Sequence, residues 1–295
     1  MVEDSDDGAR EVLRRLHKQT GKAHIIGLTG SPGSGKSTLA CRLAQQYRSA
    51  GLSVGIICVD PTSPFTGGAL LGDRVRMQEL SGDPEVFIRS MGSRGALGGL
   101  SVATNDVINI LDAFGKDFVI VETVGAGQVE IEVVKYAHTC IVVTMPGAGD
   151  EIQAIKAGIL EIGDIFVVNK ADREGADRTA RELATMLDFR PAAEGSWNPQ
   201  VLKTEAQRGT GIEELVGEIL LHRDHLLSSG TINDFLRERN ERHFMDILRD
   251  SLIKKALDYM VTDATLDRVV AGMGDHTIDP YSAAEQVLAR MMGDR

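Results

Sequence analysis

The stretch GLTGSPGSGKST, residues 27–38, constrains this chain more than any other part of it. It closes the apolar run HIIGLTG (24–30) and leads into the helical pattern STLACRLAQQYRSAG (37–51). Gly30, Gly35, Lys36 and Ser37 stand at the spacing of a P-loop, in the strand–loop–helix setting its mechanism needs. Glycines let successive backbone N–H groups turn inward and approach an anion closely. The N-terminus of the following helix adds its partial positive charge. The cradle is therefore expected over Gly30, Ser31, Pro32, Gly33, Ser34, Gly35, Lys36, Ser37 and Thr38. Lys36 would reach the outer phosphates of a nucleoside triphosphate, and the Ser37 hydroxyl would ligand Mg²⁺.

A strand that feeds such a loop must belong to a sheet covered on both faces. The chain supplies one: SVGIICVD (53–60), DFVIVET (117–123), HTCIVVTMPG (138–147), DIFVVNKAD (164–172) and the weaker VLKTEA (201–206) are apolar throughout, with helical stretches between most of them. Continuous rather than alternating apolar runs imply parallel strands buried on both sides. The expected fold is α/β, a doubly wound, mostly parallel sheet of the P-loop type. Ligands of such sheets bind at the C-terminal ends of the strands. After about residue 212 the strands stop. Residues 1–22 read as a short helical extension with Val12, Leu13 and Leu16 on one face, residues 23–222 as the nucleotide-binding domain and residues 223–295 as a helical dimerisation arm. The arm's stripe of Phe244, Ile247, Leu248, Leu252, Ala256 and Met260 follows helical spacing.

The polar residues that end the apolar runs are candidates for chemistry. Asn169-Lys170-Ala171-Asp172 ends one. The Asp172 carboxylate can accept hydrogen bonds from N1–H and the 2-amino group of guanine, donors that adenine lacks. Asn169 can hold the loop, and the Lys170 stem can lie on the base. TEAQRGTG (204–211) follows another strand, and a backbone N–H of Glu205, Ala206 or Gln207 is expected at the guanine oxygen. GTP and GDP are thus the expected ligands. Asp60 and Glu122 end two further runs on the P-loop side, with Asp73 in the loop region between Asp60 and the next helix. Mg²⁺ takes only one or two carboxylates directly, so some of these three act through water. Gly125 offers an N–H to the γ-phosphate.

Net charge is −11, with 42% hydrophobic and 25% charged residues. An acidic, globular chain makes nucleic acid and anionic membrane surfaces poor partners. No apolar stretch nears the roughly 20 residues of a membrane helix, and the N-terminus lacks the features of a targeting peptide, so a cytoplasmic location is expected. Cys41, Cys58 and Cys140 read as reduced, buried thiols.

VDPTSPFTGGALLGDRVRM (59–77), FIRSMGSRGALGGL (87–100), VETVGAGQ (121–128), PGAGDEIQAIKAGILEI (146–162) and VNKAD (168–172) together resemble the ArgK/MeaB/MMAA family of GTPases, relatives of the nickel-delivery chaperones HypB and UreG. The resemblance runs from about residue 24 to 215. It implies a homodimeric GTPase that escorts an adenosylcobalamin-dependent acyl-CoA mutase, most often methylmalonyl-CoA mutase, gating cobalamin loading and protecting the mutase. It implies Asp60, Asp73 and Glu122 near Mg²⁺ and the hydrolytic water. It also implies an additional switch segment at 146–156 containing Asp150, Gln153 and Lys156, with Lys156 completing the site on the mutase much as an arginine finger does. No glutamine follows the glycine of ETVG, where Ala126 stands, so a low intrinsic rate is expected. Two departures stand out. The stretch before the P-loop looks shorter than is usual for the family, and Glu205 replaces a smaller residue. Two other readings compete. A metal-delivery GTPase of the HypB or UreG type would need a clustered Cys/His site, and only His222 and His225 are close in sequence, as solvent-facing residues. An ATPase or kinase linked to amino-acid transport conflicts with the base-reading tetrapeptide.

Overall fold

The computed structural model describes residues 7–60, 77–92, 99–123, 136–147, 159–190, 195–262 and 265–293. The chain divides into two compact units, Met1–Asn240 and Glu241–Arg295.

Seven strands form one sheet in the first unit: β1 His24–Gly30, β2 Val54–Asp60, β3 Val86–Gly92, β4 Phe118–Thr123, β5 Thr139–Thr144, β6 Ile165–Asn169 and β7 Gln200–Thr204. Their order is β3-β2-β4-β1-β5-β6-β7, and every pairing is parallel. The interleaved helices are α1 Asp7–Leu16, α2 Lys36–Ser49, α3 Gly99–Ala113, α4 Ile159–Ile162, α5 Ala176–Asp188 and α6 Ile212–Ser229. β1, β4, β5 and β6 are buried along their whole length. Successive side chains feed opposite faces, as the pleat requires. Ile26, Leu28, Ile56, Phe118 and Ile141 pack with Leu39, Leu43 and Tyr47 of α2 and Leu215 and Ile219 of α6. Ile25, Ile57, Val119 and Val121 pack with Ile108 and Leu111 of α3 on the other side. Tyr47 stacks on Phe118 with centroids 4.0 Å apart and ring planes at 9°. Each of these fully buried aliphatic or aromatic side chains contributes roughly 1.5–3 kcal/mol relative to exposure.

Two expectations need correction. β3 was not foreseen as a strand. It sits at the sheet edge, half-buried, and carries Arg89 and Ser90 where an apolar run would be continuous. The N-terminal helix stops at Leu16, before a 3₁₀ turn at His17–Gln19, and Val12 is 50% exposed; Ala9 is the residue it buries. The connection into β1 is tied down instead by Asp112 of α3, whose carboxylate accepts the amides of Lys22 (3.0 Å) and Ala23 (2.9 Å). Cys41, Cys58 and Cys140 are reduced thiols buried in the core.

α7 spans Thr231–Thr262, followed by α8 Thr265–Gly274 and α9 Pro280–Met292. In the second unit Asp279 caps α9, accepting the amides of Tyr281 (2.9 Å) and Ser282 (3.0 Å), with Pro280 at the first helical position. Phe244, Leu248 and Leu252 stand at helical spacing and remain 60%, 40% and 48% exposed. Among the described residues no helix is long and apolar enough to cross a membrane.

Candidate nucleotide-binding site

β1 sits between β4 and β5, where the chain crosses from one half of the sheet to the other. Crevices at such crossover points, outside the C-terminal strand ends, are where doubly wound sheets bind ligands. The P-loop leaves β1 at that point. At Gly30, φ is +124°, and a Cβ would strike the carbonyl oxygen of Val143 on β5. At Gly35, φ is +95°, and a Cβ would strike Asn169 Nδ2. Both positions require glycine on conformational and steric grounds. Gly35 begins α2 without any side-chain cap. The N-terminus of this 14-residue helix, the end that favours an anion, thus opens on the loop. Lys36 is buried and donates through Nζ to the carbonyl oxygens of Gly30 (2.5 Å) and Ser31 (2.9 Å) of its own loop. Among the described residues the buried Ser34 hydroxyl finds no hydrogen-bond partner. That orphaned group faces the same cost as any buried polar atom until something accepts or donates to it.

Ser37 Oγ donates to Glu122 Oε1 at 2.6 Å, both buried. Two hard oxygen donors on the end of β4 and the first turn of α2 match the chemistry of a Mg²⁺ site. Asp60 ends β2, but its side chain lies outside the described residues, as do Asp73, Gly125, Asp150, Gln153 and Lys156.

Asn169, the last residue of β6, joins three segments. Its Nδ2 donates to Ser34 O (2.8 Å); its Oδ1 accepts from Thr204 Oγ1 (3.0 Å) and Ala206 N–H (3.1 Å). The phosphate loop and the base loop therefore hang on one buried amide. Lys170 follows with φ +57° and donates to Gly33 O at 2.6 Å. Burial lowers its pKa from the ordinary lysine value, helped by Arg173 and opposed by Asp172. Asp172 lies beyond it, exposed, on the wall of an open cleft with a cavity volume of about 170 Å³. Gly35, Thr38, Lys170, Glu205, Ala206 and Gln207 share that wall. In the base loop Glu205 N–H already donates to Thr210 O (3.0 Å) and Ala206 N–H to Asn169. Of the three amides expected at a guanine oxygen, only that of Gln207 lacks an acceptor among the described residues.

The structure thus brings together Gly30 to Thr38, Glu122, Asn169, Lys170, Asp172 and residues 205–207. Sequence reasoning missed Thr204 and Arg42. Arg42 of α2 donates from Nε to Ala206 O (2.9 Å) and from a terminal nitrogen to Gln207 O (2.8 Å). Its one sequence signal is a charge set between Cys41 and Leu43 in the helix after the P-loop. The histidines also differ from expectation. His222 is buried, and it converges with His24 on Thr139 Oγ1, each ring nitrogen 2.8 Å away, at the N-terminal end of the sheet. His222 joins the buried face of α6 with Leu215 and Ile219, while His225 is half-buried.

The family described as methylmalonyl-CoA mutase-associated GTPase MeaB matches residues 1–260. The chain is 48% identical to a protein of Pyrococcus abyssi named only as a GTPase, over 99% of this chain and 91% of that one. It is 32% identical to the mouse methylmalonic aciduria type A homolog, mitochondrial, over 78% of this chain and 56% of that one. A solved structure of an LAO/AO transport system kinase superposes with a TM-score of 0.70, covering 96% of this chain and 86% of that one. At 24% identity that likeness bears on the fold alone.

Proposed function

The chain belongs to the MeaB family of methylmalonyl-CoA mutase-associated GTPases, and we propose that it hydrolyses GTP to GDP and phosphate as a switch that escorts an adenosylcobalamin-dependent acyl-CoA mutase, methylmalonyl-CoA mutase first among them. In that role it gates cofactor loading and protects the mutase. The observation that carries the reading is Asn169, whose single amide ties the phosphate loop at Ser34 to the base loop at Ala206 beside Asp172. A protein that reads both ends of one nucleotide needs that connection. Asp172 takes N1–H and the 2-amino group of guanine, and Gln207 N–H takes the oxygen. An adenine there would leave the carboxylate unpaired.

The amides of the P-loop and of the first turn of α2 hold the phosphates. Lys36 exchanges the carbonyls of Gly30 and Ser31 for phosphate oxygens, and Ser34 gains a partner. Ser37, with Asp60, Asp73 and Glu122 directly or through water, would hold magnesium, whose charge offsets that of the phosphates when it is bound. Gly125 senses the γ-phosphate. The segment at 146–156 supplies Asp150 and Gln153, and its Lys156 meets the developing charge only on the mutase, which accounts for a slow free enzyme and a faster complex. Homodimerisation through the arm buries the exposed stripe of Phe244, Leu248 and Leu252.

Calorimetry with magnesium present tests the core of this: GDP should release heat where ADP does not, and a preference for ATP would return the transport-kinase reading. Equilibrium dialysis finding tight Ni²⁺ would return the metal-delivery one. Adding the mutase should raise turnover, and Lys156→Ala should abolish the gain while sparing GTP binding. Phe244→Glu with Leu248→Glu should yield a monomer by light scattering.

A further inference from the structure

Arg42 is attached neither to the phosphate loop nor to the base loop, yet it grips the second from the helix that begins at the first. Its guanidinium is fixed on three sides. Nε donates to Ala206 O (2.9 Å), one terminal nitrogen to Gln207 O (2.8 Å) and the other to Gln45 Oε1 (2.8 Å). Gln45 is itself anchored, donating to Glu79 Oε2 at 2.9 Å. A rigid planar fork, held by a neighbour one turn on, thus presents two donors to two successive carbonyls.

The consequence lies in the peptide between Ala206 and Gln207. A trans peptide is planar, so its C=O and N–H point in opposite directions. No peptide of the described chain is cis. Drawing Ala206 O toward α2 therefore turns Gln207 N–H away from α2. Of the three, it is the amide without an acceptor among the described residues, and both residues line the cleft. A charged donor on the carbonyl also polarises the same peptide and strengthens its N–H.

We propose that Arg42 is a positioning residue for base specificity: it aims Gln207 N–H at the six-position oxygen of the purine and leaves the Asp172 contact alone. This rests on the guanine reading of the cleft. A mutation that merely loosened the fold would weaken every nucleotide equally, whereas Arg42 acts on one atom of the base.

The test is calorimetric affinity of the full chain, with magnesium, for GDP, 6-thio-GDP and IDP. The thio analogue weakens only the acceptor at position six, and IDP lacks only the amino group that Asp172 reads. In Arg42→Met, GDP affinity should fall about tenfold, the worth of the one amide hydrogen bond to the base that loses its aim. The ratio of GDP to 6-thio-GDP affinity should fall toward one, while the ratio of GDP to IDP stays at its wild-type value. Arg42→Lys, with a charge but no fork, should lie between, and it decides the matter if the methionine variant fails to fold. Equal losses for all three nucleotides, with both ratios preserved, would overturn the proposal. A wild-type chain that does not prefer GDP to ADP would instead sink the guanine reading itself.

Discussion

The two ends of one sheet make a useful contrast. At the C-terminal ends of β1, β4, β6 and β7 the polar groups bond mainly to backbone carbonyls and to one another around an open cleft. At the N-terminal ends lies an equally polar set that is closed. His24 and His222 share Thr139 Oγ1, His138 Nδ1 accepts Ile25 N–H at 3.1 Å, and Asp164 Oδ2 accepts Cys140 N–H at 2.7 Å. Burial, first of all, lowers the pKa of His24 to about 2, of His138 to about 3 and of His222 to about 4. Arg223 and Arg239 add to it at His138. The open end can trade its internal bonds for a ligand's. At the closed end the bonds run between β1, β5 and α6 and hold them in register, with His138 Nε2 left without a partner among the described residues.

The largest expected effect that sharpens this contrast is at Asn169. Asn169→Ala strands Ser34 O, Thr204 Oγ1 and Ala206 N–H at once, at roughly 1–3 kcal/mol for each buried group left unpaired. GDP affinity by calorimetry should drop by a hundredfold or more on the order of those energies. Next is Asp172→Asn, which turns an acceptor toward guanine's 2-amino group into a donor. GDP should weaken by about a hundredfold and XDP, with an oxygen in that place, should gain.

The closed end should answer to pH instead. Each histidine is neutral in the fold, so its stabilisation is complete above pH 6.5, its ordinary value, and is lost as pH falls toward the folded values of about 4, 3 and 2. Asp164 works the other way. Burial raises its carboxyl to about 7, so between 3.8 and 7 the fold keeps a proton that the unfolded chain releases. It remains 29% exposed, and water tempers that shift. Unfolding near pH 5 should then take up between two and three protons, and stability by chemical denaturation should fall by roughly 3 kcal/mol per pH unit. His24→Gln should flatten that slope by about 1.4 kcal/mol per unit and leave GDP affinity unchanged. The smallest effect expected is optical. Trp197, the single tryptophan, packs on His222 and His225 with ring centroids 4.8 and 5.5 Å away. Acidification should quench its emission, and saturating GDP should not. A GDP-dependent change there would break the contrast and couple the two ends.

Much of the open end was legible in advance because its signals are contiguous. A P-loop is a local backbone conformation, dictated by glycines at 30 and 35 within one short stretch. A strand covered on both faces must be apolar at every position, as β1, β4, β5 and β6 are. The edge strand β3 lacks that demand and so lacked the signal.

What contiguity cannot encode, tertiary structure decided. The sequence itself determined that a P-loop, a polar tetrapeptide at the end of β6 and a parallel sheet exist, because each is written in neighbouring residues whose backbone angles or burial allow little else. The fold alone decided that β4 and β5 flank β1, that Asn169 meets Ser34 across 135 residues, and that Arg42 grips a loop 164 residues away. It also decided that histidines from β1, the start of β5 and α6 bury one another. Those are bonds between side chains brought together by packing, and their partners are chosen by where the sheet and its helices come to rest.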